Sequence, residues 1–113
     1  MTLREEIQNR TKTLSSVLAV STPEWPGQDG KVFVRKLTAR EMDCWYNRVE
    51  GDNARAQYVA IAACDDAGNR IFGDGDSGWL GNEPFSVIDR IYEAGMIHNR
   101  TTPAAKASME KNS

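Results

Sequence analysis

Carboxylates, two cysteines and one histidine are the side chains of this 113-residue chain that could carry out chemistry. The densest acidic stretch, residues 74–78 (DGDSG), has the alternating aspartates of a calcium-binding loop. An EF-hand loop needs an oxygen ligand at its fifth position and glycine at its sixth, where this chain has glycine and tryptophan. We therefore predict no calcium site. We predict instead that Asp74 or Asp76 caps one helical turn, and that Trp79 and Leu80 of this turn dock on the core.

The histidine and the cysteines give no catalytic or metal-binding pattern. His98 falls near the end of a predicted helix, where positive charge is favoured, and no nucleophile or second histidine accompanies it. We interpret it as a surface or capping residue. Cys44 and Cys64 lie on adjacent predicted helices, so a disulfide is geometrically conceivable, but two reduced thiols of an intracellular protein are the favoured interpretation. No cofactor is expected.

A β-hairpin is predicted in the first third of the chain. Residues 31–37 (KVFVRKL) and 14–20 (LSSVLAV) have strand composition, and the proline- and glycine-containing stretch 21–30 separates them as a loop. A two-stranded hairpin is marginal alone, so it should lie on helices or pair with another subunit, and an exposed strand edge would be a route to self-association.

Two helices should follow the hairpin. Thr38 and Glu41 have capping-box spacing, and the i, i+3, i+4, i+7 pattern of Met42, Trp45, Tyr46 and Val49 predicts a helix that ends at Gly51. We attribute this aromatic stripe to core packing rather than to a ligand box. From residue 54 to 64 the chain is alanine-rich and predicts a second, central helix, with Asp52 or Asn53 as its cap.

A third amphipathic helix is predicted from about residue 84 to residue 98. Its apolar positions recur at helical spacing, whereas Asp89, Arg90 and Glu93 form the polar side. Residues 3–10 predict a short amino-terminal helix with Leu3 and Ile7 on one side. In the predicted helix of residues 84–98, the buried positions are expected to be Phe85, Ile88, Ile91, Tyr92 and Met96.

The predicted fold class is therefore α+β, an antiparallel hairpin packed on three to four helices in one small domain. We expect residues 1–100 to form this domain, with residues 1–13 as a loosely docked or mobile helix, and residues 101–113 to form a flexible tail. A domain of this size can bury roughly two-thirds of its unfolded surface.

Composition narrows the classes of partner. The chain carries 14 Lys and Arg against 16 Asp and Glu, a formal net charge of −2, which gives no reason to expect nucleic acid or an anionic membrane. Hydrophobic residues make up 40% and charged residues 27%, as in ordinary globular domains. The chain has no run of about 20 apolar residues, so no membrane-spanning helix is predicted. The acidic amino end also lacks the apolar region of a secretory signal.

Several segments, taken in order, resemble one protein family. They are a Pro-Glu-Trp loop before a V-F-V-R strand (PEW…KVFVRKLTAREMD), an alanine-rich helix (ARAQYVAIAAC) and an acidic glycine turn ending on Arg-Ile-Phe (DDAGNRIF). A second acidic turn (GDGDSGWLG) and an amphipathic helix (VIDRIYEAGMIHN) complete the series. Over residues 22–99 the chain resembles the tail assembly chaperones of long-tailed, lambda-like bacteriophages.

The resemblance implies a non-enzymatic protein of the host bacterial cytoplasm. Such proteins coat or hold the tape-measure protein before the tail tube polymerises around it, and they are absent from the finished virion. Members of the family often make a longer product by ribosomal frameshifting, and the extension of that product engages the tail-tube protein. Since Lys111-Asn112 could be encoded by a slippery run of adenines, we expect the chain ending at Ser113 to be the short form.

A groove or a pairable strand edge would cover the apolar faces of a helical partner. The predicted partner-binding residues are Trp25, Phe33, Arg35 and Trp79, although each is equally explicable as an ordinary packing or surface residue. Trp25, between two prolines, is either a lid over the apolar face of the hairpin or a partner-binding anchor.

Three other classes of protein compete with this interpretation. A structural virion part, such as a tail-completion or head–tail joining protein, would share the size and composition. An enzyme is disfavoured because the carboxylates cluster in turns and on polar helix faces. A nucleic-acid binder is disfavoured because no basic stripe alternates with aromatic residues.

Overall fold

The computed structural model of the protein describes residues 2–9, 16–48 and 53–100, which form an α+β fold and confirm the predicted class. The strands make one antiparallel sheet in the order β1-β2-β3. In chain order the elements are α1 (Leu3–Gln8), β1 (Val17–Ser21), β2 (Lys31–Arg35), α2 (Ala39–Arg48), α3 (Ala54–Ala62), β3 (Ala63–Cys64), α4 (Ser77–Leu80) and α5 (Phe85–Arg100). The tail predicted for residues 101–113 lies outside the described residues.

The hairpin is confirmed. Strand β1 pairs antiparallel with β2, with Val17 opposite Arg35 and Val20 opposite Val32. The connecting loop closes where the Thr22 N–H donates to the Gly30 carbonyl at 2.7 Å, and Gly30 has a φ of 73°, which glycine adopts without strain. Because side chains alternate along a strand, the valines of one face enter the core together. That face packs on α3 and α5 through the following buried residues: Val20, Val32, Val34, Val59, Val87, Ile88 and Ile91.

The central helix ends earlier than its alanine-rich composition predicts. Ala63 and Cys64, expected to be helical, instead form β3, which pairs with β2 at Val34 and Phe33. A tertiary contact explains why the helix stops: as a strand, Ala63 and Cys64 form hydrogen bonds with the open edge of β2, which they could not do in a further helical turn. Arg70 then forms an antiparallel bridge to Cys64 and extends the pairing beyond β3.

Two arginines bind the carbonyl groups left free where α3 stops. The Arg35 Nε donates to the Ile61 carbonyl at 2.9 Å, and the Arg70 Nη2 donates to the Ala60 carbonyl at 2.7 Å. Both cations sit at the negative end of the helix dipole, where positive charge is favoured. Each arginine is in turn held by a carboxylate, since Arg35 pairs with Glu41 at 2.6 Å and Arg70 with Asp74 at 3.0 Å.

The capping box of α2 is confirmed. The Glu41 N–H donates to the Thr38 Oγ1 at 3.1 Å, and the Thr38 N–H donates to the Glu41 Oε1 at 3.0 Å. Trp45 is buried and donates its indole N–H to the Ala54 carbonyl at 3.0 Å. The prediction that Tyr46 shares the buried face is wrong, because Trp45 occupies the contact with α3 and leaves Tyr46 exposed. Val49 and Gly51 lie outside the described residues.

Helices α3 and α5 form the centre of the fold. Tyr58 of α3 is fully buried and packs edge-on against Trp45, with ring centroids 5.1 Å apart. Gly95 of α5 makes this possible, because a Cβ there would lie 2.6 Å from the Tyr58 ring. The expected burial of Phe85 is wrong, since Phe85 begins α5 beyond the core and is exposed, while Val87 takes the buried position.

Asn99 joins α5 to the end of the hairpin. Its Oδ1 accepts the Leu37 N–H at 2.6 Å, and its Nδ2 donates to the Arg35 carbonyl at 3.1 Å. The same Nδ2 lies 3.1 Å from the Tyr58 hydroxyl and 3.0 Å from the Gly95 carbonyl. One amide therefore satisfies backbone groups of the last residue of β2 and of Leu37 beyond it, where the chain leaves the sheet to enter α2.

Asn99→Ala is expected to lower the free energy of unfolding by about 2–3 kcal/mol, because the Leu37 N–H and the Arg35 carbonyl lose a partner in a half-buried site. Urea denaturation followed by circular dichroism measures the loss. Asn47→Ala, on the exposed surface of α2, is the control and should change stability by less than about 0.5 kcal/mol. Equal small effects in both variants would contradict the joining role of Asn99.

Thr22, which follows β1, is a buried residue whose hydroxyl has no hydrogen-bond partner. Burying an unpaired hydroxyl is unfavourable, so Thr22→Val, which keeps the shape, is expected to raise the free energy of unfolding by about 1 kcal/mol. The same change at Thr38 is the matched control, because it removes the α2 cap and should lower stability by about 1 kcal/mol. Urea midpoints that move in the same direction for both variants would contradict this prediction.

Candidate functional site

The structure brings two of the four predicted partner-binding residues together. Trp25 and Trp79 line one groove of about 310 Å³ at the loop end of the hairpin. Phe33 and Arg35 lie elsewhere on β2, and Arg35 is occupied by its bonds to Ile61 and Glu41. Partner binding by Phe33 and Arg35 stays a prediction. The groove is lined by Trp25, Pro26, Val32, Ile71, Phe72, Trp79 and Glu83.

Three aromatic rings form the body of this aromatic groove. Phe72 packs edge-on against Trp25, with centroids 5.8 Å apart and planes at 79°. On its other side Phe72 meets Trp79 in the same way, at 5.6 Å and 75°. Edge-to-face contacts of this kind contribute about 0.5–1.5 kcal/mol each beyond the area they bury, so the rings support one another in fixed orientations.

Hydrogen bonds fix both indoles further. The Trp25 Nε1 donates to the Glu83 Oε1 at 2.9 Å, and the Trp79 Nε1 donates to the Asp76 Oδ1 at 2.9 Å. Asp76 also accepts the Gly73 N–H at 2.7 Å. The bond from Trp79, followed by that from Gly73, lowers the pKa of the Asp76 carboxyl. Because both indole N–H groups are used, the groove presents ring faces and edges rather than free donors.

Two large hydrophobic side chains of the groove remain open to solvent, and Pro26 beside them is exposed as well. Trp79 is 48% exposed and Ile71 is 39% exposed. The prediction that Trp79 docks on the core is therefore wrong, whereas Leu80, its neighbour on the one-turn helix α4, is fully buried as expected. An exposed tryptophan on a rigid apolar surface is a typical feature of a protein-binding site.

Trp25 has features of both a lid over the apolar face and a wall of the groove. Trp25 packs on the core cluster beside Val32 and is half-buried, as a lid over the apolar face would be. The same ring also forms one wall of the groove. Ile71 and Phe72 were missed as site residues, because a short run after a turn gives no sign of the distant loop it contacts.

The open edge of β1 is less suited to pairing than the hairpin pattern suggested. Helix α5 supplies side chains to carbonyls at both ends of this strand. The Arg90 Nη1 donates to the Ser21 carbonyl at 2.8 Å, and the His98 Nε2 lies 3.1 Å from the Ser16 carbonyl. Glu24 fixes Arg90 through two bonds of 2.9 and 3.0 Å. These side chains cover the two ends of the β1 edge and so hinder the addition of another strand there.

Four ion pairs of the described residues hold the fold together, namely Arg35–Glu41, Arg55–Asp89, Arg70–Asp74 and Arg90–Glu24. No three His, Cys, Asp or Glu side chains of the described part of the chain are grouped so that they could hold a metal ion. Cys64 is buried and free, and burial raises the pKa of its thiol to about 11. Cys44 is also a free thiol and is exposed, so no disulfide joins them. None of the described helices combines the length and apolar composition needed to cross a bilayer.

No model of a protein family, no curated protein and no solved structure matches the chain.

Acidification is expected to destabilise the fold. Hydrogen bonds lower the pKa of Glu24, through Arg90, and of Asp65, through the Asn69 N–H, below their ordinary values of 4.5 and 3.8. Above about pH 5 both groups are ionised in the folded and unfolded states, so their stabilising contribution is fully present. That contribution is lost as the pH falls through the depressed pKa values of the folded state.

Urea midpoints measured between about pH 7 and pH 3 test this dependence. Asp65→Asn should flatten the acid side of the curve, because the asparagine does not titrate. Asp43→Asn, on the exposed surface of α2, is the control and should follow the parent chain. A curve for Asp65→Asn as steep as that of the control would contradict the assignment.

Proposed function

We propose that the chain is a tail assembly chaperone of a long-tailed, lambda-like bacteriophage. In this role it binds the tape-measure protein in the cytoplasm of the host bacterium, keeps it soluble and promotes assembly of the tail tube. It makes and breaks no covalent bond, and it is absent from the finished virion. A longer form, produced by frameshifting, would engage the tail-tube protein.

The aromatic groove is the observation that carries this proposal. Its exposed side chains include Trp79, Ile71 and Pro26, all of them apolar, and its indole donors are already bonded to carboxylates. A surface of this kind favours burial of aliphatic side chains over recognition of a polar small molecule. A helical tape-measure precursor would offer such side chains along its apolar faces, as in helix-in-groove recognition.

The groove is also built from the segments on which the family resemblance rests. Trp25 comes from the Pro-Glu-Trp loop, Ile71 and Phe72 come from the acidic turn that ends on Arg-Ile-Phe, and Trp79 comes from the second acidic turn. Trp25 and Ile71 lie 46 positions apart in the sequence and yet line the same surface. This convergence supports a binding role for the ordered set of motifs.

Co-expression with the neighbouring long, coiled-coil-rich reading frame of the source genome tests the proposal. The parent chain should keep that partner in the soluble fraction and co-purify with it. Trp79→Ala combined with Ile71→Ser should abolish this effect, because truncating a central tryptophan costs about 2 kcal/mol or more, roughly thirtyfold in Kd. Tyr46→Ala, equally exposed but on α2, is the matched control and should behave as the parent.

A partner that stays insoluble and unbound with the parent chain would overturn the chaperone assignment. The alternative is a tail-completion or head–tail joining protein. Mass spectrometry of purified particles distinguishes it from a chaperone, because a structural part would be present in stoichiometric amounts. The sequence of the encoding DNA shows whether a longer form can be made, because frameshifting requires a slippery heptamer and an overlapping downstream reading frame.

A further inference from the structure

We infer that the aromatic groove is specific for a basic amphipathic helix of another protein. Aliphatic side chains of that helix pack on Trp79 and Ile71, and a neighbouring lysine or arginine pairs with the carboxylate of Glu83. The inference rests on the groove of the proposed function and adds the charge of the partner to it.

The carboxylates that hold the two indoles have no cationic partner among the described residues. Four other carboxylates of the described chain each pair with an arginine, at distances of 2.6 to 3.0 Å. Asp76 instead accepts the Gly73 N–H and the Trp79 indole, and Glu83 accepts the Trp25 indole through its Oε1. No lysine or arginine lines the groove. The groove therefore carries negative charge that no described side chain compensates.

Glu83 lies where two apolar surfaces meet. It lines the aromatic groove and also a neighbouring cleft of about 370 Å³, in which Phe85 is 66% exposed. Arg55 lines the same cleft but is bonded to Asp89 at 3.0 Å. A charged group surrounded by apolar groups that exclude water contributes more to binding than a charge on an open rim. Glu83 is therefore the group best placed to select the charge of the partner.

A helix suits this surface because it needs only side-chain contacts. Its backbone hydrogen bonds are internal, whereas an extended segment needs partners for its backbone, and both indole N–H groups of the groove are already bonded. Aliphatic residues at i and i+4 share one face of a helix. A lysine or arginine beside them lays its methylene stem along the rings and brings its charge to the carboxylate. The faces of the tryptophan rings attract the same cation.

A second copy of this chain matches the groove less well than a basic partner does. The chain has a formal net charge of −2, and helix α1, none of whose residues is buried, carries Glu5 and Glu6 against Arg4. Like charges that face each other across an interface disfavour binding. Charge thus favours a partner of the opposite sign.

Peptide binding to the full-length chain, followed by heteronuclear NMR, tests the inference. Three synthetic helices, held by a side-chain cross-link, have the same leucines at i and i+4 and differ only in their flanking residues, which are lysine, glutamine or glutamate. The lysine peptide should shift the indole signals of Trp25 and Trp79 but not that of Trp45, which is bonded to the Ala54 carbonyl outside the groove. Its Kd should be at least about tenfold lower than that of the glutamate peptide.

Glu83→Gln separates charge from structure, because glutamine keeps an oxygen that can accept the Trp25 indole N–H. This variant should bind the lysine peptide about fivefold more weakly and the glutamine peptide within about twofold of the parent. Glu93→Gln, on the exposed side of α5, is the matched control and should bind all three peptides as the parent does. An unchanged Trp45 indole signal verifies that the variants fold.

The inference is overturned if the three peptides bind equally or not at all, if the glutamate peptide binds best, or if Glu83→Gln weakens the lysine and glutamine peptides alike. Signals of Trp25 and Trp79 that shift with protein concentration alone would indicate a second copy as the occupant, which also overturns it. Selectivity for the lysine peptide together with an insoluble co-expressed partner would contradict the proposed function alone. Equal binding of the peptides together with a soluble partner would contradict this inference alone.

Discussion

The fold depends on how the central helix α3 ends. Its last carbonyl groups face Arg35 and Arg70, which replace the hydrogen bonds that another helical turn would provide. Because these carbonyls are satisfied, the chain passes from helix to strand β3 without an intervening loop and pairs with the centre of the sheet. The turn that follows is fixed by Asp65, which accepts the Ala67 and Asn69 N–H groups at 3.0 and 2.9 Å.

This ending also determines where the groove lies. Arg70 is held by the pairing to Cys64 and by Asp74, so Ile71 and Phe72 leave the sheet in a set direction and meet the hairpin loop. The one-turn helix α4 then buries Leu80 and turns Trp79 outward. The aromatic rings are thus rigid yet partly exposed. Such a surface loses little conformational entropy on binding, which favours adhesion to another chain.

The same structure favours the groove over the strand edge as the proposed binding surface. Arg90 and His98 occupy carbonyls at both ends of β1, and Asn99 occupies the backbone groups after β2. In the groove, by contrast, hydrogen bonds hold the ring edges and leave apolar faces uncovered. A strand edge that is covered at its ends disfavours association, whereas an exposed apolar surface favours it, and this protein combines both in one small domain.

Local patterns in the sequence determined the fold class, the hairpin, the capping box of Thr38 and Glu41, and the helical identity of α3 and α5, because these depend on spacing over a few residues. Tertiary contacts decided the rest. Ala63 became a strand residue because β2 had an open edge, and Trp79 stayed exposed because Leu80 fills the core. The groove joins Trp25 to Phe72 and Trp79, and no short-range pattern encodes which distant segments will meet.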